Sequence, residues 1–396
     1  MTHPDTAESA NANHGASSGG RPHRLLYLCD WLPPDFGAVG QYSQLFARQR
    51  AARGEDVSLV GLSSTGASRT DEAVGDGRLR TMRVAAQIYD RGNFRRRAWW
   101  TLRTNLKLLW SARRELRAAD EILFTGSPPF LIHLLVPLNL LLCKRLTYRI
   151  TDFHPECLIA ELGRAPLPLR AFRRLTVALR RRVDGFEVLG EDQRRRLLEL
   201  GIPDERIRLK RDPSPVEVPA GTPPLPLPAE LDGRVVLLYS GNFGVAHDHE
   251  TFVAGYRLHH RAGSGRVGLW LNATGRKADL VESLLRAEGL PVHRSAPLAL
   301  ADLPRLLVTP HAHLITLREE FVGYVLPSKV HGCVASGKPV VFIGPRESDV
   351  DLLCRQGLPE SDYSRVANGD AAAAAATFER LAERVDGGQP VRLSSR

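Results

Sequence analysis

Residues 319–343 read EEFVGYVLPSKVHGCVASGKPVVFI. Pro327 and Ser328 favour the start of a helix. Gly337 and Pro339 end it, and 340–343 is an apolar run of strand length. A helix opening at Ser328 and Lys329 aims free backbone N–H groups, and the Lys329 ammonium, at an anion. Arg318 and Glu320 stand just after another strand-length run, 313–316, where open α/β sheets bind ligands.

The alternation extends in both directions. Upstream in the same half, strand-length runs fall at 235–239 and 268–272. Before them lies PSPVEVPAGTPPLPLP, residues 213–228. Proline at that density cannot continue a helix or an inner strand and favours extended chain, so it reads as a linker. On its far side, runs at 25–29, 57–62, 122–124, 147–150 and 186–189 alternate with helical segments at 42–52, 93–117 and 169–183. Such alternation implies parallel sheets covered on both faces. The chain reads as a disordered leader at 1–23, a first half at 24–212, a linker at 213–233, a second half at 234–386 with a C-terminal helix, and a tail at 387–396.

A chain of 396 residues suits two domains. Its net charge of +10 falls wholly in residues 1–220, where 35 Lys+Arg face 25 Asp+Glu; beyond them 19 face 19. The first half therefore meets something anionic, and an Arg-rich composition is the plainer source of part of the excess. The five cysteines have no C-x-x-C spacing, which speaks against structural zinc and a disulfide framework and for a reducing compartment. The most apolar stretch, FLIHLLVPLNLLL at 130–142, falls short of the ~20 residues of a spanning helix. It reads as a buried or an interfacial helix.

Four further segments could carry chemistry. DWLPPDFGAVGQY, 30–42, places Gly37 and Gly40 in a strand-to-helix loop that a ligand can approach closely. YSGNFG, 239–244, repeats the device, with Gly241, Asn242 and Gly244 in the loop and His247 behind it; a plain glycine turn explains it equally well. DFHPE, 152–156, gathers Asp152, His154 and Glu156 at a strand's end, able to hold sugar hydroxyls or exchange protons, or to cap a helix. Asp349 and Asp351 form a D-x-D, but Ser348 and Asp349 read as a helix cap rather than a metal site.

From about residue 24 to 353 the chain resembles bacterial GT-B glycosyltransferases of the family 4 type. PPDFGAVGQYSQLFARQRAARGEDV looks like their N-terminal loop, YSGNFGVAHD like their phosphate loop, and FVGYVLPSKVHGCVASGKPVV like their donor helix, in a subgroup with the letters PSK. DFHPE sits where relatives carry a segment beside the donor sugar. The resemblance implies an α/β fold of two doubly wound Rossmann-like domains facing across a cleft. It also implies retaining, metal-independent hexosyl transfer in surface polysaccharide or glycolipid biosynthesis, with a UDP- or GDP-sugar as substrate and no cofactor. Asp152, His154 and Glu156 become catalytic candidates. Gly37, Gly40, Gly241, Asn242, Gly244, His247, Arg318, Glu320, Tyr324, Ser328 and Lys329 become donor-binding ones. The sequence departs from the pattern where relatives carry a pair of glutamates, here Tyr324 and Gly332. It departs again where they carry Arg and Lys, here Asn242 and His247. Glu320 is then expected to take the ribose, and Lys329, Arg318 or Arg276 the diphosphate.

On a helical wheel of 93–117, Trp99, Leu102, Leu106, Leu109 and Leu116 share an arc beside Trp100, Arg103, Lys107, Trp110, Arg114 and Arg117. Tryptophan mixed with basic residues marks an interfacial helix. Residues 169–183 mix Phe172, Leu175 and Leu179 with arginines in the same manner. A cytoplasmic protein in peripheral contact with the inner membrane, using a lipid-linked or glycan acceptor, is the expectation. Rival readings are an inverting transferase or a sugar-nucleotide epimerase on the same fold, and a nucleotide-sugar binder without turnover. A nucleic-acid partner is not expected, since no recognised module is present.

Overall fold

A computed structural model describes residues 21–387, apart from 36–37, 88–93, 127 and 215. Most of the expected leader, nearly all of the tail, and Gly37 lie outside the described residues. The first half runs β1 (Arg24–Trp31), α1 (Ala38–Ala52), β2 (Asp56–Ser63), β3 (Ser68–Val74), β4 (Gly77–Ala85), α2 (Phe94–Ser111) and α3 (Arg113–Ala118). It continues β5 (Glu121–Thr125), α4 (Ile132–Leu142), β6 (Arg145–Ile150), α5 (Glu156–Leu162), α6 (Leu167–Arg180), β7 (Gly185–Val188), α7 (Glu191–Glu199) and β8 (Ile207–Leu209). After the Pro-rich stretch come β9 (Val235–Asn242), α8 (Glu250–Ala262), β10 (Val267–Thr274), α9 (Arg276–Ala287), β11 (Val292–Ser295) and α10 (Leu303–Val308). The last elements are β12 (Ala312–Thr316), α11 (Lys329–Ala335), β13 (Val340–Ile343), α12 (Asp349–Gly357), β14 (Tyr363–Val366) and α13 (Ala371–Asp386).

Two sheets result. The first has eight strands in the order β3-β4-β2-β1-β5-β6-β7-β8, the second six in the order β11-β10-β9-β12-β13-β14. Among the described residues every strand pairing within the sheets is parallel except β3 with β4, so the expectation of a purely parallel first sheet needs correction. An antiparallel hairpin at 68–85 extends its edge. Its outer strand, SRTDEAV, is polar and largely exposed, which keeps an open edge soluble.

Strand order reverses between β1 and β5 in one sheet and between β9 and β12 in the other. Such switch points open crevices beyond the strands' C-terminal ends. The loops after β1, β9 and β12, read above as ligand loops, all leave strands at these points.

Each sheet buries both faces. Leu26, Leu28, Val60, Phe124 and Ile150 point to one side of the first, and Leu25, Tyr27, Val57 and Leu59 to the other. A further cluster joins the halves, packing Cys157 and Leu189 against Ile315, Leu317, Phe321 and Val330.

Candidate active site

Lys329 opens α11. Lys329 Nζ lies 3.3 Å from the centre of the Tyr239 ring, is inaccessible, and has no hydrogen-bond partner among the described residues. Burial pushes this amine well below the usual lysine range. Above it passes Gly241, whose φ is +109°. A Cβ at Gly241 would sit 3.7 Å from Lys329 Cε, an ordinary contact distance, so it is the backbone conformation that calls for glycine. An unpaired buried amine is costly, and an incoming anion would remove that cost.

The rest of the loop is tied in place. Phe243 N donates to Thr274 O at 2.7 Å, and its ring stacks on Tyr239 at 4.1 Å. Asn242 is exposed, its amide lying over Gly244 and Gly275. His247 is buried behind the loop with Nδ1 2.6 Å from Thr316 O. Burial, and then the Lys329 charge, push its pKa down to about 3. A neutral ring there holds the loop and supplies no cation. Ser328 stands at the helix start without a side-chain capping bond. Gly40 is buried where α1 presses on the end of β1, and a Cβ there would collide with the Trp31 carbonyl. The described structure thus gives Gly40 a packing reason.

The DFHPE segment follows β6. Glu156 is buried and accepts from Arg180 Nη1 at 2.7 Å and Nη2 at 2.9 Å. Burial acts to raise its carboxyl, and the Arg180 bonds and charge outweigh it, holding the group below the usual range. Arg180, fully buried, also donates to His154 O at 2.9 Å and lies 5.0 Å from the Phe153 ring centre. Glu156 and Arg180 therefore fix the segment, while Asp152 and His154 are only partly covered. Burial first, and the Asp30 charge second, raise Asp152 to about 6. The role of Arg180 escaped the sequence reading, since an arginine on a basic helix looks like all the others. Its only sequence signal is the unmatched Glu156.

This segment and the PSK segment meet. Asp152 bridges to Val325 in antiparallel fashion, and Phe153 N donates to Tyr324 O at 3.0 Å. The Arg196 guanidinium covers the Tyr324 ring at 4.9 Å. Tyr324 is thus a junction residue, four positions before Ser328 in the chain. Arg318 and Glu320 pair at 3.3 Å and line a cavity of about 390 Å³ with His249 and Lys277.

Both D-x-D carboxylates are taken, Asp351 by Tyr363 Oη at 2.7 Å, Arg355 Nη2 at 2.9 Å and Glu347 N at 2.9 Å. Asp349 accepts from Glu191 N at 3.0 Å and Asp192 N at 2.7 Å, while Asp349 N donates to Asp192 at 2.7 Å. The N-termini of α7 and α12, one from each half, cap each other. Ser348 accepts from Asp351 N within its own helix.

Solved structures match along nearly the whole chain. HepE of Anabaena, solved with UDP and glucose, superposes with a TM-score of 0.60 at 12% identity, over 92% of this chain and 91% of that one. The fold is GT-B. WaaG, a glycosyltransferase involved in lipopolysaccharide biosynthesis, gives 0.56 at 13% identity over 93% and 96%. A UDP-N-acetylglucosamine 2-epimerase candidate from Listeria monocytogenes gives 0.55 at 11% over 92% and 89%. No family model matches the sequence, and no curated protein does.

Proposed function

We propose that this GT-B protein transfers a hexosyl group from a nucleotide-sugar donor, a UDP- or GDP-sugar, to a glycan or lipid-linked acceptor. The observation that carries the reading is the unpaired Lys329 amine under Gly241, on the same segment that pins Asp152 and His154. In transfer, the bond from the anomeric carbon to the diphosphate oxygen breaks and leaves its electron pair on the nucleoside diphosphate. A bond from an acceptor oxygen to that carbon forms, and the acceptor hydroxyl passes its proton to the departing diphosphate oxygen. Lys329 and the 241–244 amides meet the charge growing on the leaving group, rather than a metal ion or cofactor. His154 and Asp152 face the donor sugar, and Glu156 positions them through Arg180. Retention at the anomeric carbon is part of the reading, which the family resemblance supports. So is closure of the halves to exclude water.

The acceptor is taken from a membrane. Trp99 is 66% and Trp110 70% exposed on α2, with Leu102 and Leu106 between them. Arg103, Lys107, Arg113 and Arg114 are exposed around that stripe. Aromatic and basic groups together suit the interface of an anionic bilayer. No described helix is long and apolar enough to cross a membrane. We place the protein at the cytoplasmic face, in surface polysaccharide or glycolipid biosynthesis.

The test is incubation with UDP- and GDP-hexoses and a membrane lipid fraction. Release of nucleoside diphosphate that depends on the lipid fraction, with label passing into lipid, supports transfer. Interconversion of the sugar nucleotide without any acceptor would point to an epimerase instead.

A further inference from the structure

The basis is a group of rings beside the DFHPE segment. Phe130, in the loop after β5, has φ +67°, a left-handed conformation that is strained for a bulky residue and recurs at ligand-binding positions. Its ring meets His154 edge-on at 5.9 Å and Phe172 at 5.2 Å. His133 stacks on Phe172 at 4.6 Å with the planes 10° apart. The His133 ring nitrogens are fixed, 3.2 Å from Phe130 O and 3.0 Å from the Thr176 hydroxyl. All three rings are half-buried, and none belongs to a buried apolar cluster. The strain at Phe130 therefore holds a ring at the surface of the first half, not in its core.

We propose that Phe130, His133 and Phe172 form an acceptor subsite that stacks the apolar face of a pyranose ring, so that one of its hydroxyls is presented beside His154. The C–H groups on one face of a pyranose are electropositive and complement the negative face of an aromatic ring. The inference rests on the transfer reading above, because only an acceptor needs a second sugar next to the donor.

Saturation-transfer NMR tests it, with the full chain, UDP or GDP, and the methyl pyranosides of glucose, galactose, mannose and N-acetylglucosamine as probes. At least one pyranoside takes up saturation, strongest at its axial ring protons. Phe172→Leu keeps an apolar side chain without the ring and lowers that affinity about threefold to tenfold, the reach of one aromatic stacking contact. Phe172→Tyr retains it. Both variants keep the wild-type melting temperature and nucleotide-induced shift. Saturation of no pyranoside, or an unchanged signal in Phe172→Leu, overturns the proposal. Equal competition by sugar-free n-dodecyl phosphate also overturns it and assigns the rings to a lipid chain. If neither nucleotide shifts the melting temperature of the wild type, the donor reading fails instead, whatever the pyranosides show.

Discussion

Lys329 shows how a residue can be built for a ligand at the expense of the free protein. Its amine is inaccessible and unpaired, with Tyr239, His247 and Cys333 as its titratable neighbours and no carboxylate among the groups that shift it. Burial lowers its pKa, so folding releases a proton there, and the free protein is destabilised at every pH below the ordinary lysine value. Lys329→Met is therefore expected to raise the melting temperature of the free protein, by about 1–3 kcal/mol of stability, while removing any shift caused by nucleotide. Calorimetry with and without nucleotide reads both effects. The same sign makes diphosphate binding take up a proton, so affinity falls as pH rises. Titrations in buffers of different ionisation heat count that proton. Glu156 gives the opposite case: Glu156→Gln leaves Arg180 buried without its counter-charge and costs about 3–5 kcal/mol in urea unfolding.

The elements differ in how far the sequence exposes them. The runs of the inner strands were legible because burial on both faces leaves them largely apolar, and the charged exceptions Arg149 and Glu187 bond each other at 2.7 Å. The β3–β4 hairpin was not, since the first five residues of SRTDEAV are polar and the strand pairs only at the sheet edge. The 93–117 segment shows a subtler limit. A wheel groups Trp99, Leu102 and Leu106 with Leu109 and Leu116, yet only the last two are buried. Periodicity finds a stripe but not which part of it faces the core, and here the helix also breaks into α2 and α3 at Ala112. The exposed part carries a prediction of its own. Trp99→Ser with Trp110→Ser is expected to abolish sedimentation with vesicles of anionic lipid and leave the melting temperature unchanged. Wild-type sedimentation weakens as salt rises.

At the scale of the whole molecule, the sequence could order the motifs but not show which would meet. DFHPE and PSK converge through Asp152, Phe153 and the 324–325 backbone, a contact that joins the two halves of the chain. Arg318 and Glu320, adjacent to PSK in sequence, line a cavity with His249 and Lys277. The halves are also clasped by Asp192 and Asp349. Burial, and then the Asp349 charge set against its backbone bond, leave Asp192 raised to about 6. A carboxyl raised on folding stabilises fully below its unfolded value, about 4, and loses that contribution as pH rises through about 6. Asp192→Asn keeps the uncharged form, so its melting temperature relative to wild type is expected to climb between about pH 4 and pH 6. Melting curves across that range check it.

The central claim is that Lys329 and the 241–244 loop hold the diphosphate of a donor. Thermal shift of the purified protein against UDP, GDP, dTDP, ADP and CMP, without added metal and with duplex DNA as control, tests it most directly, because a ligand that binds only the native state must raise the melting temperature. The account predicts a clear shift with UDP or GDP, none with DNA, and loss of the shift in Lys329→Ala. No shift with any nucleotide at millimolar concentration, or a full shift in Lys329→Ala, would contradict it.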